Sequence, residues 1–145
     1  MPLISKRSLP PNLEIKLFEL FFESLAGLSS KADIEKFLFS LISPVEKTML
    51  AKRLGIAILL AKGYSYEEIK TILKVSQETV SKVNMIVNYK GEGYKMVVKK
   101  AIEKENFKEL FDGLIKEGLS VFSYSSYRKS PGIDPPKKSN KTPLG

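Results

Sequence analysis

Apolar residues recur along this chain at spacings of three and four, and no segment alternates with the period of two that marks a strand. Leu13, Leu17, Leu20, Phe21 and Leu25 fall on one face, with Glu14, Glu19 and Glu23 between them. The pattern predicts an amphipathic helix that starts after Pro10-Pro11 and ends near Gly27. Phe18 and Phe22 widen its apolar face beyond a single stripe, so it needs a large partner surface. A second helix is predicted from Lys31 to Ile42, burying Ile34, Phe37, Leu38, Leu41 and Ile42. Ser43-Pro44-Val45-Glu46 then reads as a helix start: serine caps, proline tolerates the first position, and glutamate reaches back. The third helix continues to Lys62, and Gly63 suits a left-handed C-cap. Its stretch from Leu54 to Ala61 is apolar nearly all round, which places it at the centre of an assembly.

Ser65-Tyr66-Glu67-Glu68 repeats the capping pattern and opens a short helix to Leu73, with Ile69, Ile72 and Leu73 inward. Lys74-Val75-Ser76 forms a three-residue break. Ser76 caps a further helix from Gln77 to about Asn88, with Val80, Val83 and Val87 inward. Two more helices are predicted, from Tyr94 to Glu103 and from Asn106 to Leu119. The organisation is an arm at 1–11, an all-α domain at 12–122, and a basic tail at 123–145. The tail is rich in Ser, Pro, Lys and Asn and reads as disordered, since it holds few apolar groups to drive packing.

The short helix, tight turn and longer helix at 65–88 have the spacing of a helix-turn-helix. In such a unit the first helix props the second across the major groove, and the start of the second reaches base edges. Gln77, Glu78, Thr79, Ser81 and Lys82 face outward on the second helix and can bond bases or phosphates. Lys70, Lys74 and Ser76 stand beside them. One position departs from the usual pattern: where many such turns place Gly, this chain has Lys74.

Charge sharpens the picture. The net charge is +8. Residues 44–90 carry eight basic and four acidic groups, residues 123–145 five and one, and the remaining segments balance. The excess on the helix-turn-helix and the tail is the footprint of a polyanion binder. Cysteine and histidine are both absent, which excludes disulfides, the usual zinc sites and nucleophilic schemes that need a histidine base. No enzyme and no metal are therefore expected. Met1–Pro11 lacks the apolar run of a secretory signal, and Leu54–Ala61 is too short to span a bilayer, so the expected location is cytoplasmic, without a membrane partner. Gly91-Glu92-Gly93 is too short for a phosphate loop, and Lys99-Lys100 reads as a solvated face.

From Leu41 to Val98 the chain resembles the Trp repressor family, in particular the small Trp-repressor-like proteins of the YerC/YecD type. The likeness rests on Leu41-Ile42-Ser43-Pro44-Val45-Glu46, Leu50, Arg53-Leu54, Leu59-Leu60, Gly63, Tyr66 and Ile69. It continues through Thr79-Val80-Ser81-Lys82-Val83, Asn88-Tyr89 and Gly93-Tyr94-Lys95. The resemblance implies a Trp-repressor-like helical domain, an intertwined homodimer, and a sequence-specific regulator of transcription that binds double-stranded DNA. It also implies an effector position at Ser43, Arg53 and Lys82. There the chain departs from the family, because Lys82 replaces an arginine that stacks on an indole, and Val83 fills space that the repressor leaves open. The expectation is accordingly no cofactor, with a tryptophan-type effector as the alternative. Two other functional readings stand beside the regulator: a sigma-factor-like helix-turn-helix interaction module, and a non-specific architectural protein.

Overall fold

The computed structural model describes residues 7–120. Among these residues the chain forms helices and no strands. They are α1 (Pro11–Ala26), α2 (Lys31–Leu41), α3 (Pro44–Ala61), α4 (Tyr66–Leu73), α5 (Gln77–Lys90), α6 (Glu92–Ile102) and α7 (Phe107–Ser120). The expected all-α class holds. The proposed tail at 123–145 lies outside the described residues.

The chain divides into two compact units, Met1–Lys47 and Thr48–Gly145. In the first, neither α1 nor α2 contains a buried residue. Phe18 stacks on Phe22 with ring centroids 6.1 Å apart, and Phe21 meets Phe37 at 6.5 Å. Ser30 caps α2 by accepting from the Asp33 amide. Ser43 and Glu46 close the expected reciprocal cap: the Ser43 amide donates to Glu46 Oε2 at 2.7 Å, and the Glu46 amide to Ser43 Oγ at 3.2 Å. The bond from the Ser43 amide, then that from its hydroxyl, holds the Glu46 carboxyl below its ordinary pKa.

The second unit has a continuous core. Ile56, Ala57 and Leu59 of α3 meet Ile69 and Ile72 of α4, Val80 and Val83 of α5, Val98 of α6, and Phe107 and Phe111 of α7. Each large side chain in this set contributes about 1.5–3 kcal/mol by leaving water. The apolar centre of α3 is thus buried by the chain's own helices, while Met49 and Leu50 nearer its start stay exposed. Gly63 takes the left-handed conformation expected of it, with φ 80°.

Two boundaries differ from the sequence expectation by two residues, and others by one. Helix α5 runs to Lys90 rather than ending near Asn88, because no residue before Gly91 interrupts it. Helix α6 begins at Glu92, two residues before Tyr94. Gly91 makes the corner between them; a Cβ there would overlap the backbone of Val87, so only glycine fits.

Lys62 is the one buried charged residue among those described, at 9% exposure. Among the described residues its ammonium has no hydrogen-bond partner, and it lies 5.2 Å from the Phe107 ring centre and 5.7 Å from that of Phe111. Cation–π attraction offsets part of the burial cost. Burial still lowers the Lys62 pKa. Between that lowered value and the ordinary lysine value, the unfolded chain holds the extra proton, so stability rises with pH through this window. Lys62→Met keeps the unbranched stem against the rings and removes the charge. We expect its thermal midpoint at pH 7 to equal or exceed that of the parent, and the parent's gain on going to pH 10 to shrink in the variant. Thermal melts of both proteins at the two pH values check this; equal pH responses would contradict it.

Candidate nucleic-acid interface

The α4–turn–α5 unit is built from local bonds first. Ser65 and Glu68 form a complete capping box at the start of α4, with bonds of 3.2 and 2.8 Å. Lys74 follows Leu73 in the left-handed conformation, at φ 54° and ψ 54°. This costs a residue with a Cβ about 1–2 kcal/mol. Ser76 then caps α5, accepting from the Thr79 amide at 3.2 Å.

Packing sets the angle between the two helices. Ile69 and Val80 are fully buried, and Ile72 and Val83 nearly so. Leu73, Val75 and Val87 pack against this cluster. Gly55 of α3 lies close beneath: a Cβ there would meet the Leu73 side chain at 3.2 Å. A polar bond adds direction, for Asn84 Nδ2 donates to the Tyr66 hydroxyl at 2.8 Å in a part-buried setting. Asn84 escaped the sequence reading. Its signal was a polar residue within the inward stripe of Val80, Val83 and Val87.

The structure brings Gln77, Glu78, Ser81 and Lys82 together as exposed residues on the first two turns of α5. Thr79 is half-buried, and its Oγ1 lies 2.9 Å from Ser76 Oγ. Glu78 and Lys82 form an ion pair of 3.1 Å one turn apart. Lys70 pairs with Glu67 at 3.2 Å on the exposed side of α4. Lys74 is engaged differently: its ammonium donates to the carbonyls of Thr71 and Gly118. Of the residues assigned to an effector position, Ser43 belongs to the first unit and is bonded to Glu46. Arg53 and Lys82 belong to the second unit, and both are exposed. Val83 is buried in the packing of α4 on α5.

Among the described residues, no group of acidic residues could hold a metal ion. No described helix is long and apolar enough to cross a membrane.

Two short helices joined by a capped turn, with a buried seam and a polar outer face, define a helix-turn-helix protein of all-helical fold. The family model described as Trp repressor protein matches residues 16–102, more than half of the chain. The chain belongs to the Trp repressor family. It is also similar to the uncharacterized protein YerC of Bacillus subtilis (strain 168), at 30% identity over 90 residues. That match covers 62% of this chain and 86% of YerC. No solved structure matches the chain. Helix α7 lies beyond the segment matched to the family.

Proposed function

We propose that the protein is a sequence-specific DNA-binding regulator of transcription, a repressor in the manner its family name states, working as a homodimer in the cytoplasm. The observation that carries this reading is the exposed start of α5, where short and forked polar side chains project from a helix whose other face is locked to α4. Helix α5 enters the major groove of double-stranded DNA. Gln77 and Thr79 meet base edges there. Ser76, Ser81, Lys82 and Lys70 meet phosphates, and Glu78 orients Lys82 through their ion pair.

The homodimer is supported by the first unit. Leu13, Ile15, Leu17, Phe18, Leu20 and Phe22 of α1 are all at least half exposed. Faces of this kind mark interaction surfaces, and a two-fold partner copy offers a complementary one. An indole-type effector finds little support, since Val83 is buried and Lys82 is paired with Glu78.

Selection of bound fragments from random DNA with the purified full chain tests the proposal. The expected product is a palindrome whose half-sites lie about 34 Å apart along the duplex. Tight binding without an enriched sequence would replace the regulator with an architectural protein. An asymmetric site bound by a monomer would favour an interaction module of the sigma-factor type.

A further inference from the structure

Lys74 is the only described residue other than glycine with a positive φ. Glycine would occupy that corner without strain, so the lysine must supply something through its side chain. Its ammonium donates to the Thr71 carbonyl in the last turn of α4, and to the Gly118 carbonyl of α7 at 2.7 Å. Carbonyls in the last turn of a helix lack intrahelical partners and carry the negative end of the helix dipole. A single cation therefore caps the end of α4 and at the same time holds a carbonyl of α7. The Lys74 carbonyl in turn accepts from Lys52 Nζ of α3 at 3.3 Å. The turn of the reading unit is thus bonded to α3 on one side and to α7 on the other.

Helix α7 is well seated for this. Phe107 and Phe111 stack at 5.3 Å within the core, and Tyr64 meets Phe111 edge-on at 5.9 Å. Near its other end α7 approaches α4 so closely that a Cβ on Gly118 would lie 2.7 Å from the Ile72 carbonyl oxygen and 3.1 Å from its Cα. This contact falls outside the family segment, which ends at residue 102.

We propose that Lys74 is a positioning residue, not a phosphate contact: it latches α7 onto the turn of the helix-turn-helix, and the latch presets the angle at which α5 meets DNA. The proposal rests on the DNA-binding reading above. It accounts for a lysine at a strained corner, and for the presence of α7 against the reading unit. It also removes the need for a small molecule to order that unit, because the chain supplies its own brace.

The test compares the full chain with Lys74→Gly, Lys74→Met and Lys74→Arg. Glycine relieves the backbone strain, so loss of folding is not expected in that variant. Two readouts are taken: hydrogen exchange of the amides in the last two turns of α7, and affinity for the selected DNA and for scrambled DNA across a salt series. In Lys74→Gly and Lys74→Met, α7 amides should exchange faster, and discrimination between the two DNAs should fall about tenfold, or 1.4 kcal/mol. The slope of log K against log salt should stay unchanged, because no phosphate contact is lost. Lys74→Arg, which still reaches both carbonyls, should restore both properties. A slope reduced by about 0.9 with discrimination intact would make Lys74 a phosphate contact and overturn the proposal. Unchanged exchange in α7 would overturn it as well, as would faster exchange with full discrimination. If the parent chain itself fails to discriminate, the DNA-binding reading fails. The latch is then judged on exchange alone, and its role in presenting α5 falls with that reading.

Discussion

Leu59→Glu is expected to unfold the second unit, whereas Phe18→Glu combined with Phe22→Glu is expected to leave the chain helical and convert it to a monomer. The two outcomes separate because the residues sit in different surroundings. Leu59 is fully buried among the helices of its own chain. A carboxylate there has no partner and no water, and such substitutions cost upward of about 4 kcal/mol. A domain of ordinary stability has about 5–15 kcal/mol in total, so the variant should lose its cooperative thermal transition. Phe18 and Phe22 are 51% and 60% exposed, one helical turn apart, with their rings stacked. Placing charge there costs an isolated chain little. In a homodimer the same positions would be covered, and two unpaired carboxylates per copy would be buried at the interface. Light scattering reads the mass, and circular dichroism reads the helix content. A double variant that stayed dimeric would remove α1 from the dimer interface. A Leu59→Glu protein with a normal melt would contradict the core described here.

Replacing Gln77 or Thr79 by alanine is expected to weaken binding to the selected site by about 1–3 kcal/mol each and to relax preference at one position per half-site. Gln77 is the first residue of α5 and exposed, so its amide can pair with both an acceptor and a donor on adenine. Thr79 lies three residues past the Ser76 cap. Its amide makes the capping bond to Ser76 Oγ, and its hydroxyl lies 2.9 Å from the same oxygen. Thr79→Ala therefore keeps the amide bond of the cap but removes the hydroxyl contact to Ser76, so a thermal melt of the variant accompanies the binding titration. Lys82 provides the contrast. It is exposed and bonded to Glu78, a turn further along the helix. Lys82→Ala should weaken all sequences about equally and lower the salt slope by roughly 0.9. Titrations on the selected site and on scrambled DNA, repeated at several salt concentrations, separate these patterns. Intact discrimination in both Gln77→Ala and Thr79→Ala would exclude α5 as the reading helix.

The sequence by itself determined where the helices begin and break to within two residues, and which face of each is apolar. Those features depend on bonds spanning three or four residues. Ser43 with Glu46, Ser65 with Glu68, and Ser76 with the Thr79 amide all close within one turn, and the structure has each of them. The left-handed corners at Gly63 and Lys74 were legible for the same reason, since a helix that stops and restarts within three residues needs one. Only the tertiary structure decided what each face packs against. Asn84 and Tyr66 are 18 residues apart, and Lys74 and Gly118 are 44 apart. No local pattern pairs residues at such separations, because their meeting depends on how whole helices dock. The same holds for the apolar residues of α1 and α3, both of which the sequence marks as needing a partner surface. The centre of α3 is buried by α4 and its neighbours, while α1 keeps Phe18 and Phe22 in solvent. Periodicity records that a face is apolar; burial also requires a second surface, and where that surface lies is a property of the fold.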